Sequence, residues 1–580
     1  MTNSEIAAAF EQVADLLEFQ GANPFRIRAY RSAARTIGDL PEAAAEIAAD
    51  PERSLTELDG IGKDLAGKIE TLLATGSLPM LDELLAEIPE SVLAILRVPS
   101  LGPKRAALLY HELGIATLDQ LREACESQKV RALKGFGAKS EEAILKGIGI
   151  AGEAGRRLLW FRADQHVQAI LAHMAGCSAL EQLEPAGSYR RRKDTVGDLD
   201  FLAVATAPGP AMDHLAAYEG IAAVLLRGET KMSIRLAAGL QVDLRIVPAE
   251  SFGAALQYFT GSKEHNVTLR GRARKRGLKI NEYGVFRDER QIAGRTEDDV
   301  YAALDLPCFP PELRENRREF QWADAGQLPT LIDPADIRGD LHVHSTWTDG
   351  TATIEEMAEA AQRRGLRYIA ITDHSKRVTV AGGLDANDLR RQWQDIERLN
   401  ARLKGITVLK GVEVDILERG GLDLPDDVLA EADWVVASVH FGQNQPRERI
   451  TGRIVGALEN PYVCAVAHPT GRMLQQRNPY EVDLDAVMRA ARENGKFLEL
   501  NAHPVRLDLD DVACAAAKSL GIPIVISTDA HRPEGLDAMR LGVNQARRGG
   551  LTPPDVANTR PWPQVQRLLR RRGRSAFPGG

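Results

Sequence analysis

A chain of 580 residues has room for three to five domains, and 44% apolar content lets each bury a core. A net charge of −8 excludes a uniformly basic nucleic-acid coat, and no run is long and apolar enough for a membrane span. Five scattered cysteines without a Cys-x-x-Cys pair exclude a disulfide framework and a cysteine zinc knuckle; with no signal-peptide pattern over Met1 to Glu5, the expectation is a cytoplasmic chain.

The charge is uneven. Basic runs stand at Arg156-Arg157, Arg190 to Lys193 and Arg270 to Arg276, whereas the second half holds acidic and histidine-rich segments. One half is read as meeting phosphates and the other as holding metals.

Residues 1–90 read as short amphipathic helices, with Ile6, Phe10, Val13 and Leu17 at helical spacing and Pro24, Pro41 and Pro51 as punctuation. Gly60-Ile61-Gly62-Lys63 then leads into the apolar face Leu65, Ile69, Leu72 and Leu73. Two glycines around one apolar residue make a tight hairpin whose N–H groups can face a phosphate. This resembles a helix-hairpin-helix module. The pattern recurs over residues 91–150, at Leu101-Gly102-Pro103-Lys104 and at Gly135-Phe136-Gly137-Ala138-Lys139. One such hairpin is an ordinary turn. Three favour sequence-independent binding of the DNA backbone through Gly60, Gly62, Gly102, Lys104, Gly135 and Gly137. The P-loop spacing is absent around Ser140.

Residues 151–250 contain Gly187-Ser188-Tyr189-Arg190-Arg191-Arg192-Lys193, then Gly197-Asp198-Leu199-Asp200 opening a strand. Asp198 and Asp200 leave the same strand face. Two carboxylates at about 4 Å repel by about 4 kcal/mol at an effective dielectric near 20, which a divalent cation relieves. Asp243 lies on a later strand-like run, and pairing of the two strands would bring three carboxylates together. That arrangement suits two metal ions about 3.5–4 Å apart in phosphoryl transfer. An Asp-x-Asp alone also fits a solvated edge pair. The Gly-Ser turn and the arginines add a cradle for a triphosphate. Further on, Tyr258-Phe259-Thr260-Gly261-Ser262 offers an aromatic wall with close backbone approach at Gly261, or a core pair before a turn. His265 reads as a satisfied structural histidine. Residues 251–318 close this half, and 319–338 read as a linker.

From Gly339 the character changes: seven of the 12 histidines follow, six of them at the ends of apolar, strand-like runs. Glu413 and Asp529 end similar runs. Helix-like segments separate most of the runs, so a parallel, closed sheet with its polar residues at one mouth is expected. Packing does not explain so many strand-end imidazoles and carboxylates, and these ligands suit zinc, manganese or iron. The end at Leu568 to Arg572 reads as a solvated basic helix end.

These motifs resemble two families. The first half is similar to the family X, polymerase-beta-like DNA polymerases. The second is similar to the PHP (polymerase and histidinol phosphatase) family, and their order matches bacterial family X polymerases with a C-terminal PHP domain. The resemblance implies a multidomain α/β chain: a lyase-like helical domain (1–90), a helix-hairpin-helix fingers region (91–150), a nucleotidyltransferase palm (151–250), a thumb (251–318) and a distorted (β/α)7 PHP barrel (339–580). It implies Mg2+ or Mn2+ on Asp198, Asp200 and Asp243, and triphosphate contacts from Gly187, Ser188, Arg191 and Gly197. Tyr258, Phe259 and Gly261 would meet the sugar, Asn266 the base edge and Arg270 the template strand; Lys263 departs from polymerase beta. Lys68 stands where the lyase domain keeps its Schiff-base lysine, although Asp64 replaces a second lysine there and a solvated helix lysine is the plain alternative. In the barrel the resemblance implies up to three Mn2+ or Zn2+ ions: one on His342, His344, Glu413 and Asp529, one on Glu413, His440 and His468, one on Asp349, His374 and His531. Asp349 is histidine in some relatives, and His503 matches no ligand motif. The implied function is gap filling in DNA repair (base excision repair or end joining) by a monomer that takes gapped or recessed DNA and deoxynucleoside triphosphates and meets repair partners. A 3′→5′ exonuclease, 3′-phosphatase or abasic-site endonuclease would accompany it. The alternatives are a barrel that serves only as a scaffold, or a non-catalytic module that binds DNA ends.

Overall fold

The computed structural model describes residues 3–38, 44–50, 53–58, 60–89, 91–96, 98, 101–154 and 157–570. Pro41, Pro51, Asp59, Arg156 and the basic end at Arg571-Arg572 lie outside them. The chain forms two compact units, Met1–Arg317 with Gln475–Arg477, and Arg318–Leu474 with Asn478–Gly580. No described helix is long and apolar enough to cross a membrane.

The first unit begins with helices. Ile6, Phe10, Val13 and Leu17, expected on one face of Asn3–Phe19, are buried in one core with Tyr30 and Ile37 of the next helix, Pro24–Gly38. Each glycine hairpin ends at a helix: Gly62 caps Lys63–Thr75, Gly102 caps Pro103–Leu113, and Gly137 precedes Ala138–Ala154. Thr117 and Gln120 close a capping box on the helix Leu118–Glu126.

A five-stranded sheet follows, with β1 (Leu180–Pro185), β2 (Asp198–Ala205), β3 (Ile221–Arg227), β4 (Lys231–Leu236) and β5 (Gln241–Ile246) in the spatial order β1-β2-β5-β4-β3. β2 and β5 are parallel, and the remaining neighbours antiparallel. At the start of β2, Leu199 is buried while Asp198 and Asp200 face outward, the period-2 pattern of a half-buried strand. The helices Phe252–Thr260 and Lys263–Lys275 come next, then a three-stranded antiparallel sheet formed by Lys279–Asn281, Gly284–Arg287 and Arg290–Ala293. His265, read as structural, is fully buried with Nε2 2.9 Å from the Tyr301 hydroxyl.

The second unit is a seven-stranded parallel barrel with its strands in sequence order: β6 (Gly339–Val343), β7 (Tyr368–Ile371), β8 (Thr407–Asp415), β9 (Trp434–Ser438), β10 (Ala465–Val466), β11 (Phe497–Asn501) and β12 (Ile524–Ser527). A parallel bridge between Val343 and Ala530 joins the first strand to the last. Most of these strands are buried end to end, as expected where helices cover a parallel sheet. Residues 319–338 correct the expectation of a linker. Phe320 and Ile332 are buried, the Ile332 N–H donates to the Leu551 carbonyl, and its own carbonyl accepts from the Arg547 side chain. Ile332 and Ile337 join the core of the second unit, and Pro and Asp punctuation hid this packed strap.

Candidate active sites

Asp200 and Asp243 are direct partners across β2 and β5, and Asp198 sits two residues earlier on the same face. Burial, with the charges of Asp198 and Asp243, pushes the Asp200 carboxyl up to about 7. Asp243 moves the other way: hydrogen bonds from Lys231, Ser233 and Gln241 outweigh its burial, and Lys231 Nζ is 2.9 Å from Oδ2. Gly187 lies against the cluster with φ +62, and a Cβ there would stand 2.7 Å from Asp200 Oδ2. Only glycine fits that approach. Repelling carboxylates beside a lysine and a bare backbone fit a divalent cation chemically.

The neighbouring residues are ordered by the chain itself. Ser188 is in the short helix Gly187–Arg190 and half-buried; Gly197 lies beside Arg157, whose Nη1 would be 3.1 Å from an added Cβ. Arg191 reaches Glu315 at 3.1 Å and donates to the Thr260 carbonyl beside Gly261. Arg190 makes a two-point pair with Glu297, which also binds the buried Arg314. Glu297 is held down to about 2 because those two arginines outweigh its burial. Tyr258 and Phe259 meet edge to face at 5.1 Å, with Arg245 over the Phe259 ring at 4.4 Å. Asn266 is 7% exposed; it accepts from Gln257 and donates to the Tyr258 carbonyl, while Arg270 donates back to the Asn266 carbonyl.

In the helical region Gly60, Gly62, Gly102, Lys104, Gly135 and Gly137 are all exposed, and Gly60 and Gly135 have positive φ. Lys68 Nζ is paired with Asp64 at 2.5 Å and lies 5.3 Å from the Tyr30 ring centroid. Burial acts to lower its pKa, but the Asp64 and Tyr30 hydrogen bonds win and raise it.

The barrel mouth is denser. All nine expected residues converge, around Glu413. Its Oε1 is 3.3 Å from His440 Nε2 and 3.1 Å from His468 Nε2. Its Oε2 is 2.7 Å from His374 Nδ1, 3.6 Å from His342 Nε2 and 3.7 Å from His344 Nε2. Three groups have ligand atoms within 4.8 Å of one another: His342, His344 and Asp529; His374, Glu413 and His440; and His344, Asp349, His374 and His531. The groups overlap more than expected, since His344 and His374 each join two.

Electrostatics follow the geometry. Burial opposes ionisation of Glu413, yet the surrounding imidazoles hold it well below the carboxylate range. His344 is held down to about 3 by burial and by His531 and His374, whose rings are 4.1 and 4.5 Å away. His342 Nε2, both His344 nitrogens and Glu413 Oε2 are buried without a hydrogen bond. Leaving such atoms unpaired costs about 1–3 kcal/mol each, and divalent cations would use His342 Nε2, one His344 nitrogen and Glu413 Oε2.

Residues with no motif of their own orient these ligands. Glu499 Oε1 lies 2.7 Å from His342 Nδ1, and its Oε2 accepts from the His468 N–H and from Asn501. Asn501 also donates to Asp529, and Asp415 meets His440 Nδ1 at 3.1 Å. Carboxylates behind ligand histidines fix tautomer and ring angle. The only sequence signal was a charged residue inside an apolar strand run.

Four family models match parts of the chain. Residues 1–78 match a helix-hairpin-helix domain, 92–149 a SAM-like helix-hairpin-helix tandem, 255–315 the DNA polymerase beta thumb, and 340–503 the PHP domain. A DNA polymerase/3′-5′ exonuclease PolX of Bacillus subtilis (strain 168) is 41% identical over 582 residues, covering 98% of this chain and 100% of that protein. A probable phosphatase of Thermoanaerobacter sp. (strain X514) is 34% identical over 38% of this chain and 89% of its own length, and one of Acetivibrio thermocellus 36% over 33% and 78%. With near-complete coverage at that identity, the chain belongs to the family X DNA polymerases that carry a C-terminal PHP domain.

Proposed function

We propose that this chain extends DNA 3′ ends from deoxynucleoside triphosphates to fill short gaps during repair, and trims unusable 3′ ends at its barrel. The observation that carries the polymerase reading is the register of Asp200 against Asp243, with Asp198 on the same face and Gly187 against Asp200. Asp198, Asp200 and Asp243 would hold Mg2+ or Mn2+, which would supply charge neutralisation for the attacking and leaving oxygens. The remaining work falls to side chains. Gly187, Ser188, Gly197 and Arg191 receive the triphosphate, with Arg191 pre-aimed by Glu315. Tyr258, Phe259 and Gly261 bound the sugar, and Asn266, locked by Gln257, presents the base edge. The exposed glycine hairpins and Lys104 hold the DNA backbone, and Arg270 the template strand. The chain acts as a monomer divided into the regions given above, with the strap joined to the barrel.

Hydrolysis is assigned to the barrel. Manganese or zinc held by these histidines and carboxylates would supply an activated water and charge neutralisation for the departing oxygen. Glu413 bridges the ligand groups, Asp349 and His531 close the outer one, and Glu499 and Asp415 keep the imidazoles oriented. Arg506, 3.6 Å from Asp529, offers positive charge to a phosphate oxygen. The similarity to probable phosphatases favours a second reading in which a 3′-phosphate, rather than a nucleotide, is removed.

One assay separates these. A 5′-labelled primer on a gapped duplex, with a 3′-hydroxyl or 3′-phosphate, is incubated with each divalent metal, with and without nucleotides. Longer products report extension, a nucleotide ladder exonuclease, and a mobility shift without shortening phosphatase. A protein that does none of these is a binding module only. Lyase chemistry at Lys68 requires the Asp64 pair to open, and borohydride trapping on a 5′-deoxyribose-phosphate end that persists in Lys68→Ala would remove it.

A further inference from the structure

Phe441 directly follows His440 in the loop after β9, and this large ring is only half-buried. The Arg377 guanidinium lies over it, 4.5 Å from the centroid. Arg377 comes from the loop after β7, three residues beyond His374. His374 and His440 have ring centroids 5.1 Å apart in the group completed by Glu413. An aromatic ring and a cation therefore stand together on the two loops that also carry His374 and His440.

The pair is built, not incidental. Arg453 is 3% exposed and donates to the carbonyls of Phe441 at 2.9 Å and Ile416 at 2.5 Å, and to Gln445 at 3.1 Å. Gly442 has φ +67, and a Cβ there would meet Glu418 Cγ at 2.9 Å. Glu418 pairs with Arg377 at 2.5 Å, and Asp423 accepts from the Arg377 backbone at 2.8 Å. Both loops are thus fixed by hydrogen bonds and an ion pair while the ring still meets solvent. Rigid support under an accessible aromatic is what a binding platform requires.

We infer that Phe441 and Arg377 form a platform on which the terminal nucleobase of a DNA 3′ end stacks while its phosphodiester lies at the His374–Glu413–His440 group. This rests on the hydrolytic reading of the barrel and adds the ligand class: a nucleobase, and not a phosphate alone. Stacking tolerates any base, as trimming of arbitrary sequence demands, and the guanidinium adds a cation–π contribution.

The test uses the full chain with Mn2+ and two 5′-labelled single-stranded oligonucleotides, one ending in a natural nucleotide and the other in a tetrahydrofuran abasic residue. Wild type, Phe441→Ala and Phe441→Trp are compared, with melting temperature and bound manganese measured for each. Wild type should prefer the natural end by about tenfold in kcat/KM, within the range for stacking one base. Phe441→Ala should lose that preference through KM, with the abasic end and the bound manganese unchanged, and Phe441→Trp should keep it. Equal slowing of both ends in Phe441→Ala, or a surviving preference, overturns the platform. Wild type that degrades neither end overturns the hydrolytic reading, and the platform with it.

Discussion

The two candidate centres solve one problem, gathering charge for divalent cations, by opposite means. In the first unit three carboxylates line one face of an open sheet, Asp198 is exposed, and Lys231 partly neutralises Asp243. In the second, six imidazoles and two carboxylates surround buried Glu413, or stand behind its neighbours, at the mouth of a barrel. Like charges on an open face keep the first centre soft and dependent on what binds there. Opposite charges under cover, with Glu499 and Asp415 behind the imidazoles, hold the second centre's ligands in place.

Removing a charge should therefore act in opposite directions. Asp200→Asn should cut nucleotide addition by about a thousandfold or more, since the carboxylates act as a unit. The same change should stabilise the cation-free protein. Because the Asp200 pKa is raised to about 7 in the fold, its favourable contribution is complete below pH 3.8 and disappears as pH rises through 7. Asparagine avoids that loss, giving about 1–3 kcal/mol at pH 8 and little at pH 3.5 by denaturant unfolding. Destabilisation at pH 8 would erase the contrast. Gly187→Ala tests the approach of backbone to Asp200. A Cβ at 2.7 Å and a positive φ should lower incorporation by about a hundredfold while manganese binding in the barrel stays the same.

The first centre leans on a strut the second does not need. Glu297 ties Arg190, in the basic run, to Arg314. Its pKa is lowered to about 2, so its contribution is present above pH 4.5 and lost as pH falls toward 2. Glu297→Gln should cost about 3 kcal/mol at pH 7, with the gap to wild type closing below pH 4.5. A pH-independent difference would assign the effect to packing. In the barrel, Glu499→Gln keeps the shape but weakens the hold on His342, and should reduce metal affinity by about tenfold by calorimetry. Unchanged affinity would leave Glu499 a merely buried acid.

Both clusters were legible in the sequence because their residues sit at strand ends with regular spacing. Asp-Leu-Asp and the strand-end histidines carry their own geometry, since a strand fixes which side chains share a face. The glycine doublets were legible for a similar local reason. Glu499, Asp415 and Glu297 were not. Glu499 is 157 positions from His342, and only closure of the barrel brings them together. Lys231 against Asp243 likewise depends on which strand pairs with which. The strap over 319–338 was missed because its turn residues outnumber its apolar anchors.

The central claim is that the chain carries two separate metal-dependent centres, one adding nucleotides and one removing them. A crossed comparison tests it most directly. Wild type, Asp243→Ala and Glu413→Ala are each given one labelled, recessed duplex with Mn2+, with and without nucleotides, and bound metal is counted. Asp243→Ala should still shorten the primer without extending it, and Glu413→Ala should extend it without shortening it and hold less metal. Loss of both activities in either folded variant, or wild-type degradation by a metal-depleted Glu413→Ala, would contradict the account.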